Sequence, residues 1–238
     1  MTRLSTDSQA EIGILGTGRM GVRLAIMLAR AGRRVLLASR DHKRAERIVA
    51  GLPVAGVTAG TYEQALRPGI VLPAAFIRDG LFDLLESYRS ALSGKIVVDI
   101  TNPFNDDYSD FILPWDTSAA EEMQKLLPHA RIVGAFKNVW WEVFDAPHFA
   151  EHVSDVLVVS DDAQAKQAVF DLVAGTPFRY IDAGVLKNAR TVERLTLLTG
   201  ELGLRYHYHP RVNWRLLGEP WKPGSADRDG IGTLIARS

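Results

Sequence analysis

Three glycines near the start of the chain, Gly16, Gly18 and Gly21, have the spacing G-x-G-x-x-G. An apolar run precedes them, and a segment with helically spaced apolar residues follows. In a strand-turn-helix unit the first glycine permits the turn, the second leaves room for a pyrophosphate, and the third lets helix and strand pack closely. Free N–H groups at the helix start, aided by the helix dipole, then face the phosphates. The context favours a dinucleotide-binding turn over an ordinary glycine-rich turn, with these cofactor-binding residues: Gly16, Thr17, Gly18, Arg19, Met20 and Gly21.

The end of the next apolar segment decides which dinucleotide fits. An NAD site usually has Asp or Glu there, to hold the ribose 2′-hydroxyl, but this chain has Ser39 and Arg40, followed by Lys43 and Arg44. A hydroxyl and a guanidinium suit a 2′-phosphate, because Arg binds phosphate through paired charge-assisted hydrogen bonds. We therefore expect NADP, with Ser39, Arg40 and Lys43 at the phosphate; a solvated basic turn is the alternative.

Further candidates follow later apolar segments. Ligands of open α/β sheets bind beyond the carboxyl ends of the strands, so the segments that leave those strands are expected to converge on one crevice. Ala74 and Asn102 are the cofactor-binding candidates there. The amide of Asn102 could orient a nicotinamide or an acceptor, and a turn-forming Asn before Pro is an equally good explanation.

A third group lies at the exit of a later strand. Lys137, Asn138 and Trp140 are candidates near a hydride acceptor, because a planar ring could rest beside the aromatic side chains. Packing of those aromatic side chains in a core or a subunit contact is the alternative. We nominate no catalytic acid or base, so the catalytic residues stay unknown.

The elements that must position these residues alternate along the chain. Strands are predicted over residues 12–15, 34–38, 54–58, 69–76, 95–100, 131–136, 155–159 and 178–182, with Pro73 ending or distorting its strand. Helices are predicted over residues 22–31, 41–50, 61–66, 81–92, 117–127, 163–174 and 186–202, with Thr117 or Ser118 as a cap. This order indicates an α/β fold with a doubly wound, mainly parallel Rossmann-type sheet and a small helical C-terminal extension.

Three regions are expected. Residues 1–10 form a disordered tail, residues 11–184 an NADP-binding Rossmann domain, and residues 185–238 a helical C-terminal extension and tail for dimerisation or site closure. The helix from Leu186, and the apolar residues of the tail, including Trp214 and Trp221, favour a homodimer.

Composition excludes several classes of function. Lys plus Arg and Asp plus Glu both number 28, so no net field favours nucleic acid or an anionic membrane surface. The absence of cysteine rules out disulfides and thiolate sites and fits a reducing compartment. No apolar run approaches the roughly 20 residues of a membrane span, and residues 1–10 lack a signal peptide's apolar segment, so a cytoplasmic location is expected. His207 and His209 lack a third ligand, so no metal site is expected.

Several linked motifs resemble the F420-dependent NADP oxidoreductase family and the related reductase domain of the STEAP metalloreductases. The resemblance spans residues 11–203 and rests on the glycine turn and on residues 38–41, 94–103, 134–138 and 182–184. It implies NADP(H) at residues 16–21 and hydride transfer to or from a stacked deazaflavin (F420) or flavin (FMN or FAD). The family's Lys-Ala-Phe-Asn signature appears here as Gly134 to Asn138, and the segment beyond Gly203 has no counterpart in the family.

The leading expectation is therefore an NADP(H)-dependent oxidoreductase that uses a deazaflavin or flavin partner. An NADPH-dependent reductase of a small imine, enamine or carbonyl metabolite is an alternative, in which Lys137, Asn138, His207 or Tyr208 would polarise the substrate or supply a proton. A non-catalytic NADP sensor is a third possibility, because the fold alone does not establish catalysis.

Overall fold

A computed structural model of the chain describes residues 10–218. The strands are β1 (Ile12–Leu15), β2 (Val35–Ala38), β3 (Val57–Gly60), β4 (Ile70–Pro73), β5 (Ile96–Asp99), β6 (Arg131–Gly134), β7 (His148–Phe149), β8 (His152–Val153), β9 (Asp155–Val158) and β10 (Arg179–Asp182). The α-helices are α1 (Arg19–Arg30), α2 (His42–Ala50), α3 (Tyr62–Ala65), α4 (Leu81–Ser87), α5 (Arg89–Leu92), α6 (Ala119–Leu126), α7 (Trp141–Asp145), α8 (Ala163–Val173) and α9 (Ala189–Arg205). Short 3-10 helices cover Ile77–Asp79 and Leu186–Asn188.

The central sheet has six parallel strands in the order β3-β2-β1-β4-β5-β6. The chain moves outward from β1 to β3 and then returns to the other side of β1, which creates a topological switch point between β1 and β4. A separate parallel pair, β9 and β10, is tied to β6 by an antiparallel bridge between Gly134 and Val159. The predicted α/β class and doubly wound, mainly parallel Rossmann-type sheet are confirmed.

The core lies on both faces of this sheet. β5 is buried along its whole length, and alternate residues face opposite layers. Val98 belongs to the layer that contains Leu24 and Leu28 of α1, whereas Val97 belongs to the layer that contains Leu85 of α4 and Met123 of α6. Apolar side chains on these helix faces therefore fix the sheet from both sides.

β4 ends at Pro73, as the sequence predicts. Proline has no N–H group for the ladder, and β4 pairs with β5 only at Ile70 with Ile96 and Val71 with Val97. The chain beyond Pro73 stays attached to β1, because the Ala74 N–H donates to Leu15 O at 2.8 Å. The two strands are therefore free to diverge toward their carboxyl ends.

Several elements differ from the sequence prediction. The helix expected over residues 81–92 is broken at Tyr88, whose non-helical backbone separates α4 from α5 and whose hydroxyl donates to Glu63 at 2.6 Å. The third strand lies over residues 57–60 rather than 54–58. The hairpin β7-β8 was not predicted, because strands of two residues carry too little periodicity to be recognised.

None of the helices between residues 10 and 218 is long and apolar enough to cross a membrane. Over the same residues, no three His, Asp or Glu side chains are grouped as a metal ion would require. Residues 1–9 of the expected N-terminal tail, and residues 219–238 of the expected extension with Trp221, lie outside the described part of the chain.

Candidate active site

The segments that leave five neighbouring strands are joined at one edge of the sheet. The joining hydrogen bonds run from Gly16 N–H to Ala38 O (2.9 Å), from Ala74 N–H to Leu15 O (2.8 Å), from Thr101 Oγ1 to Ala75 O (3.5 Å) and from Asn102 Nδ2 to Lys137 O (2.7 Å). This row follows the sheet order β2-β1-β4-β5-β6. The convergence expected from the sequence is present, and it forms the carboxyl edge at which ligands of such sheets bind.

The glycine turn has the geometry that its spacing predicts. Gly16 has φ +124°, which side chains rarely permit, and a Cβ there would lie 2.6 Å from Ala74 O. A Cβ on Gly21 would lie 2.1 Å from Gly16 O, so this glycine allows α1 to pack against the turn. Gly18 differs, because nothing lies within 4 Å of the Cβ position. The open space at Gly18, at the N-terminus of a 12-residue helix, fits a pyrophosphate.

Cationic residues lie at the end of β2 and the start of α2. Arg40 and Lys43 are exposed. Burial raises the pKa of Tyr62 at the start of α3, and the positive charge of Arg40 opposes this rise. Ser39 is buried, and its Oγ accepts a hydrogen bond from Asp41 N–H at 3.3 Å. These positions leave the two cations accessible to a phosphate group.

Arg44 is a site residue that the sequence prediction did not single out. Its Nε donates to Thr17 Oγ1 at 3.1 Å, which ties the first turn of α2 to the glycine turn. The sequence shows a cation at this position, but it carries no signal for the contact with Thr17, which depends on how the two turns pack.

The other residues of the glycine turn contact the interior and the aromatic side chains. Met20 is half-buried and packs against the core. The guanidinium of Arg19 lies over the ring of Trp141, 4.8 Å from its centroid. The helix that follows the glycine turn is thereby joined to the segment that follows β6.

Asn102 is held by its amide nitrogen. Nδ2 donates to Lys137 O at 2.7 Å, and this carbonyl also accepts from Thr196 Oγ1 at 2.7 Å. Oδ1 of Asn102 is buried and has no hydrogen-bond partner among the described residues. A buried acceptor of this kind is costly unless a donor reaches it. Asn102 therefore presents an oriented carbonyl oxygen at the carboxyl end of β5.

Lys137 is fully buried, and its ammonium group is surrounded by anionic and carbonyl oxygens. Nζ lies 2.5 Å from Asp99 Oδ2 and 2.8 Å from Glu193 Oε1, and it also donates to Thr101 O. Burial works to lower the pKa of Lys137, but the two carboxylates outweigh it and raise the pKa. The ammonium group of Lys137, which follows β6, thus links β5 and α9 through two ion pairs.

Glu193 extends this buried cluster to another helix. Its carboxylate accepts hydrogen bonds from Ala119 N–H (2.9 Å) and Ala120 N–H (3.3 Å) in the first turn of α6. Burial raises the pKa of Glu193, Lys137 opposes this rise, and the negative charge of Asp99 adds to it. One lysine therefore balances the charge of two carboxylates inside the protein. The N–H groups of α6 also stabilise the carboxylate of Glu193.

The backbone after β6 turns sharply to place these groups. Phe136 has φ 58°, an unusual value for a bulky residue. Asn138 is fully buried; its Nδ2 donates to Asp155 O (2.8 Å) and its Oδ1 accepts from Leu157 N–H (3.0 Å). A Cβ on Gly134 would lie 3.2 Å from Lys137 Cε, so the absence of a side chain there leaves space for the lysine stem. The strained turn and the glycine together direct both polar side chains inward.

Aromatic side chains gather where β5 and β6 end. The group called the aromatic cluster below comprises Phe104, Tyr108, Phe111, Trp140, Trp141 and His209. The ring of Trp140 lies 5.9 Å from that of Phe104 and 4.9 Å from that of His209. Burial lowers the pKa of His209. The predicted candidate Trp140 thus lies between the loop after β5 and the segment after α9.

His207 and Tyr208 lie away from these contacts. Both side chains are exposed, and the ring of Tyr208 stacks on Tyr206 with centroids 6.0 Å apart. His209, by contrast, packs against Trp140 and Trp141. The structure therefore separates the two histidines that an extended segment would have placed on one face.

Comparison with known proteins places the chain in a family. Residues 11–103 match the family model described as NADP oxidoreductase, coenzyme F420-dependent. The chain is also 30% identical over 211 residues to the F420-dependent NADP reductase of Methanocaldococcus jannaschii, an alignment that covers 82% of this chain and 93% of the relative. The chain belongs to the F420-dependent NADP oxidoreductase family. This confirms the resemblance predicted from the linked motifs.

Two further proteins are similar to the chain, one in sequence and one in structure. Metalloreductase STEAP3 of Rattus norvegicus is 31% identical over 188 residues, which are 79% of this chain but 36% of that protein. A crystal structure from Arthrobacter sp. FB24, assigned as an F420-dependent NADP reductase, superposes with a TM-score of 0.74 at 25% identity and covers 83% of this chain and 95% of the other. Membership of the F420-dependent NADP oxidoreductase family makes the chain an NADP-dependent oxidoreductase, as predicted.

Proposed function

We propose that this chain transfers a hydride between NADP(H) and a deazaflavin (F420) or flavin (FMN or FAD) at the carboxyl edge of the sheet. The observation that carries the proposal is the unpartnered amide oxygen of Asn102, in the same segment after β5 as Phe104 of the aromatic cluster. Lys137 and Asn138, by contrast, are buried and engaged. Transfer between two rings needs positioning more than a protein acid or base. The names of the archaeal relatives point to the same pair of cofactors.

The glycine turn and the start of α2 are proposed to hold the dinucleotide. The open backbone at Gly18 receives the pyrophosphate, and the N–H groups at the start of α1 donate to it. Ser39, Arg40 and Lys43 bind the 2′-phosphate, and Arg44 orients the turn through Thr17. Ala74 supports the turn from the neighbouring segment, because it lies against both Gly16 and Gly21.

Asn102 is proposed to fix the nicotinamide end. Its Nδ2 is held by Lys137 O, so Oδ1 is the atom left to accept a hydrogen bond, and the nicotinamide carboxamide carries an N–H₂ donor. This contact selects one rotation of the carboxamide. Trp140 and its neighbours in the aromatic cluster then offer ring faces and edges beside a planar acceptor.

The contacts of Lys137 and Asn138 weigh against the metabolite reductase. Reduction of an imine or carbonyl needs a proton donor or a polarising group beside the substrate. Lys137 Nζ is enclosed by Asp99, Glu193 and Thr101, and both polar atoms of Asn138 are bonded to β9. Of the groups nominated for that role, His207 and Tyr208 alone are exposed.

The absorbance of NADPH, followed with F420, FMN, FAD or no acceptor, tests the proposal. We expect loss of NADPH that depends on F420 or a flavin. Trp140→Leu should raise the KM for the acceptor by about tenfold and leave the Kd for NADPH within about twofold, because Trp140 contributes to the acceptor side. Tight NADPH binding without oxidation by any of these acceptors would contradict the proposal and favour the metabolite reductase or the sensor.

We further propose that the chain forms a homodimer in the cytoplasm. Apolar side chains on and after α9 are exposed, among them Leu198, Leu204 and Leu217. The cysteine-free composition is in keeping with a reducing compartment. Sedimentation equilibrium should give twice the chain mass of 26.3 kDa, and a monomer at micromolar concentration would contradict the dimer.

A further inference from the structure

A cavity lies between the β7-β8 hairpin and the segment that follows α9. Its volume is about 480 Å³. The cavity, called the arginine pocket here, is lined by residues that include Phe149, His152, Ser154, Arg211, Asn213 and Arg215. None of the glycine-turn residues, and none of the residues at the end of β2, lines it. The arginine pocket is therefore distinct from the proposed dinucleotide site.

Two polar atoms of the arginine pocket are buried without a hydrogen-bond partner among the described residues. The first is Oγ of Ser154, a residue that is 2% exposed, and the second is Nε of Arg215. Arg215 uses Nη1 to bind Val153 O at 2.9 Å, which fixes the guanidinium plane. Ser154 and Arg215 both line the cavity, and buried donors usually have acceptors, so an oxygen-bearing ligand would complete these two.

The charge of the arginine pocket defines the class of that ligand. Among the described residues, its lining contains two arginines and a histidine but no carboxylate side chain. The nearby carboxylate of Asp155 is already engaged, because it binds Arg179 at 2.6 Å and accepts from Leu216 N–H at 2.7 Å. Arg211 is fixed by His148 O at 2.6 Å. Within residues 10–218, no carboxylate that lines the cavity therefore neutralises these cationic groups.

We propose that the arginine pocket binds a small organic anion through a carboxylate group. The free Nε edge of Arg215 and the hydroxyl of Ser154 donate to the carboxylate oxygens, and Arg211 supplies a second positive charge. A carboxylate accepts two parallel N–H bonds from one edge of a guanidinium, which suits a planar group fixed as that of Arg215 is. The volume lies in the range of small-molecule sites.

Calorimetric titration of the full chain with tricarballylate, a flexible tricarboxylate, tests this site. The protein is first saturated with NADP⁺ so that the dinucleotide site is closed to the probe. We expect saturable binding, weakened about tenfold or more by Arg215→Gln and by Ser154→Ala, since each removes a donor to a charged group. Arg205→Gln is the matched control, because this exposed arginine pairs with Glu201 and does not line the cavity.

The outcomes separate the proposal from its alternatives. Unchanged NADP⁺ affinity in both variants shows that they are folded, so a loss of tricarballylate binding then reports on the arginine pocket. No saturable binding to the unmodified chain, or equal binding to the chain and to both variants, overturns the proposal. Inorganic phosphate in a parallel titration distinguishes the class of anion: tighter binding of phosphate than of tricarballylate overturns the assignment of a carboxylate.

Discussion

At the scale of single residues, Lys137 has an unexpected role. The sequence makes Lys137 a candidate beside a hydride acceptor, yet this ammonium group is fully buried and engaged. Moving a cation out of water is costly, and the cost is offset only by near neighbours of opposite charge with good geometry. Asp99, Glu193 and the carbonyl of Thr101 provide these contacts. Lys137 therefore acts by holding the site together.

Replacement of Lys137 should lower the free energy of unfolding, because two buried carboxylates would then lack their cation. Lys137→Met leaves Asp99 and Glu193 without their cation, and we expect a loss of about 3–5 kcal/mol in the free energy of unfolding measured with urea. Burial already raises the pKa of Glu193, and loss of the opposing charge of Lys137 would raise it further in the folded state. The folded protein then binds protons more tightly than the unfolded chain, so the deficit should shrink as pH falls from about 8 toward about 5.

The double variant Lys137→Met with Glu193→Gln serves as the control for charge. It removes one of the stranded carboxyl groups, so it should recover part of the lost stability and titrate less steeply. A deficit below about 1 kcal/mol that does not change with pH would show that the cluster contributes little, contrary to its geometry.

The choice of cofactor depends on Arg40. If its guanidinium binds the 2′-phosphate, Arg40→Ala should raise the Kd for NADPH by about 10- to 100-fold, the effect of one charge-assisted contact, and leave the Kd for NADH within about twofold. Fluorescence titration of both cofactors measures the two constants. Arg47→Ala, an exposed arginine later on α2 that pairs with Asp41, is the matched control. Equal losses for NADPH and NADH would contradict the phosphate assignment.

At the scale of elements, the glycine turn contains two glycines, Gly21 and Gly18, that the sequence requires for different reasons. A Cβ atom on Gly21 would meet the backbone of Gly16, whereas a Cβ atom on Gly18 would face open space. The first requirement belongs to folding, since it sets how α1 lies on the turn. The second belongs to binding, since nothing in the described protein fills the volume beside Gly18.

The same substitution at these two positions should therefore have different effects. Gly18→Ala should keep the melting temperature within about 2 °C and weaken NADPH binding by about tenfold or more, because the methyl group occupies the ligand's space. Gly21→Ala should lower the melting temperature by several degrees, at about 2–4 °C per kcal/mol for a chain of this size, because its Cβ meets backbone. Thermal scans with and without NADPH measure both, and similar melting temperatures would contradict this division.

The sequence predicted those elements whose signals are local. The glycine turn, the end of β4 at Pro73 and the cap of α6 at Ser118 each follow from the chemistry of a few adjacent residues. Other features involve residues that are distant in sequence: Tyr88, at the break between α4 and α5, donates to Glu63, and Lys137 is buried against residues of β5 and α9. Periodicity also gave no sign that the inward face of α9 would carry polar side chains, since their partners lie elsewhere in the chain.

At the scale of the whole molecule, the contacts of α9 bear on how the chain divides into domains. The sequence predicts a Rossmann domain over residues 11–184 and an extension after it, and that division stays a prediction. Glu193 of α9 binds both Lys137 and the first turn of α6, and Thr196 of α9 binds Lys137 O. These contacts indicate that α9 belongs to the folding unit that contains the sheet.

A chain that ends at residue 184 should therefore fail to unfold cooperatively in urea. Without Glu193, the first N–H groups of α6 lose their acceptor and the ammonium group of Lys137 loses one of its two carboxylates. This would cost several kcal/mol of a total that is small in any domain. A chain that ends at residue 218 is the control, because it keeps α9 and should unfold in one transition. A cooperative transition and intact NADPH binding in the shorter chain would establish the extension as a separate unit.

The stacking of Arg19 on Trp141 also has an optical consequence. It places two indoles, those of Trp141 and its neighbour Trp140, next to the turn proposed to hold the dinucleotide. Indole emits light at the wavelengths that reduced nicotinamide absorbs. Excitation of these tryptophans would pass by resonance energy transfer to a reduced dinucleotide, dimming the protein emission and brightening the blue emission of the cofactor. The molecule thus contains its own fluorescent donor for reporting the redox state of a bound dinucleotide.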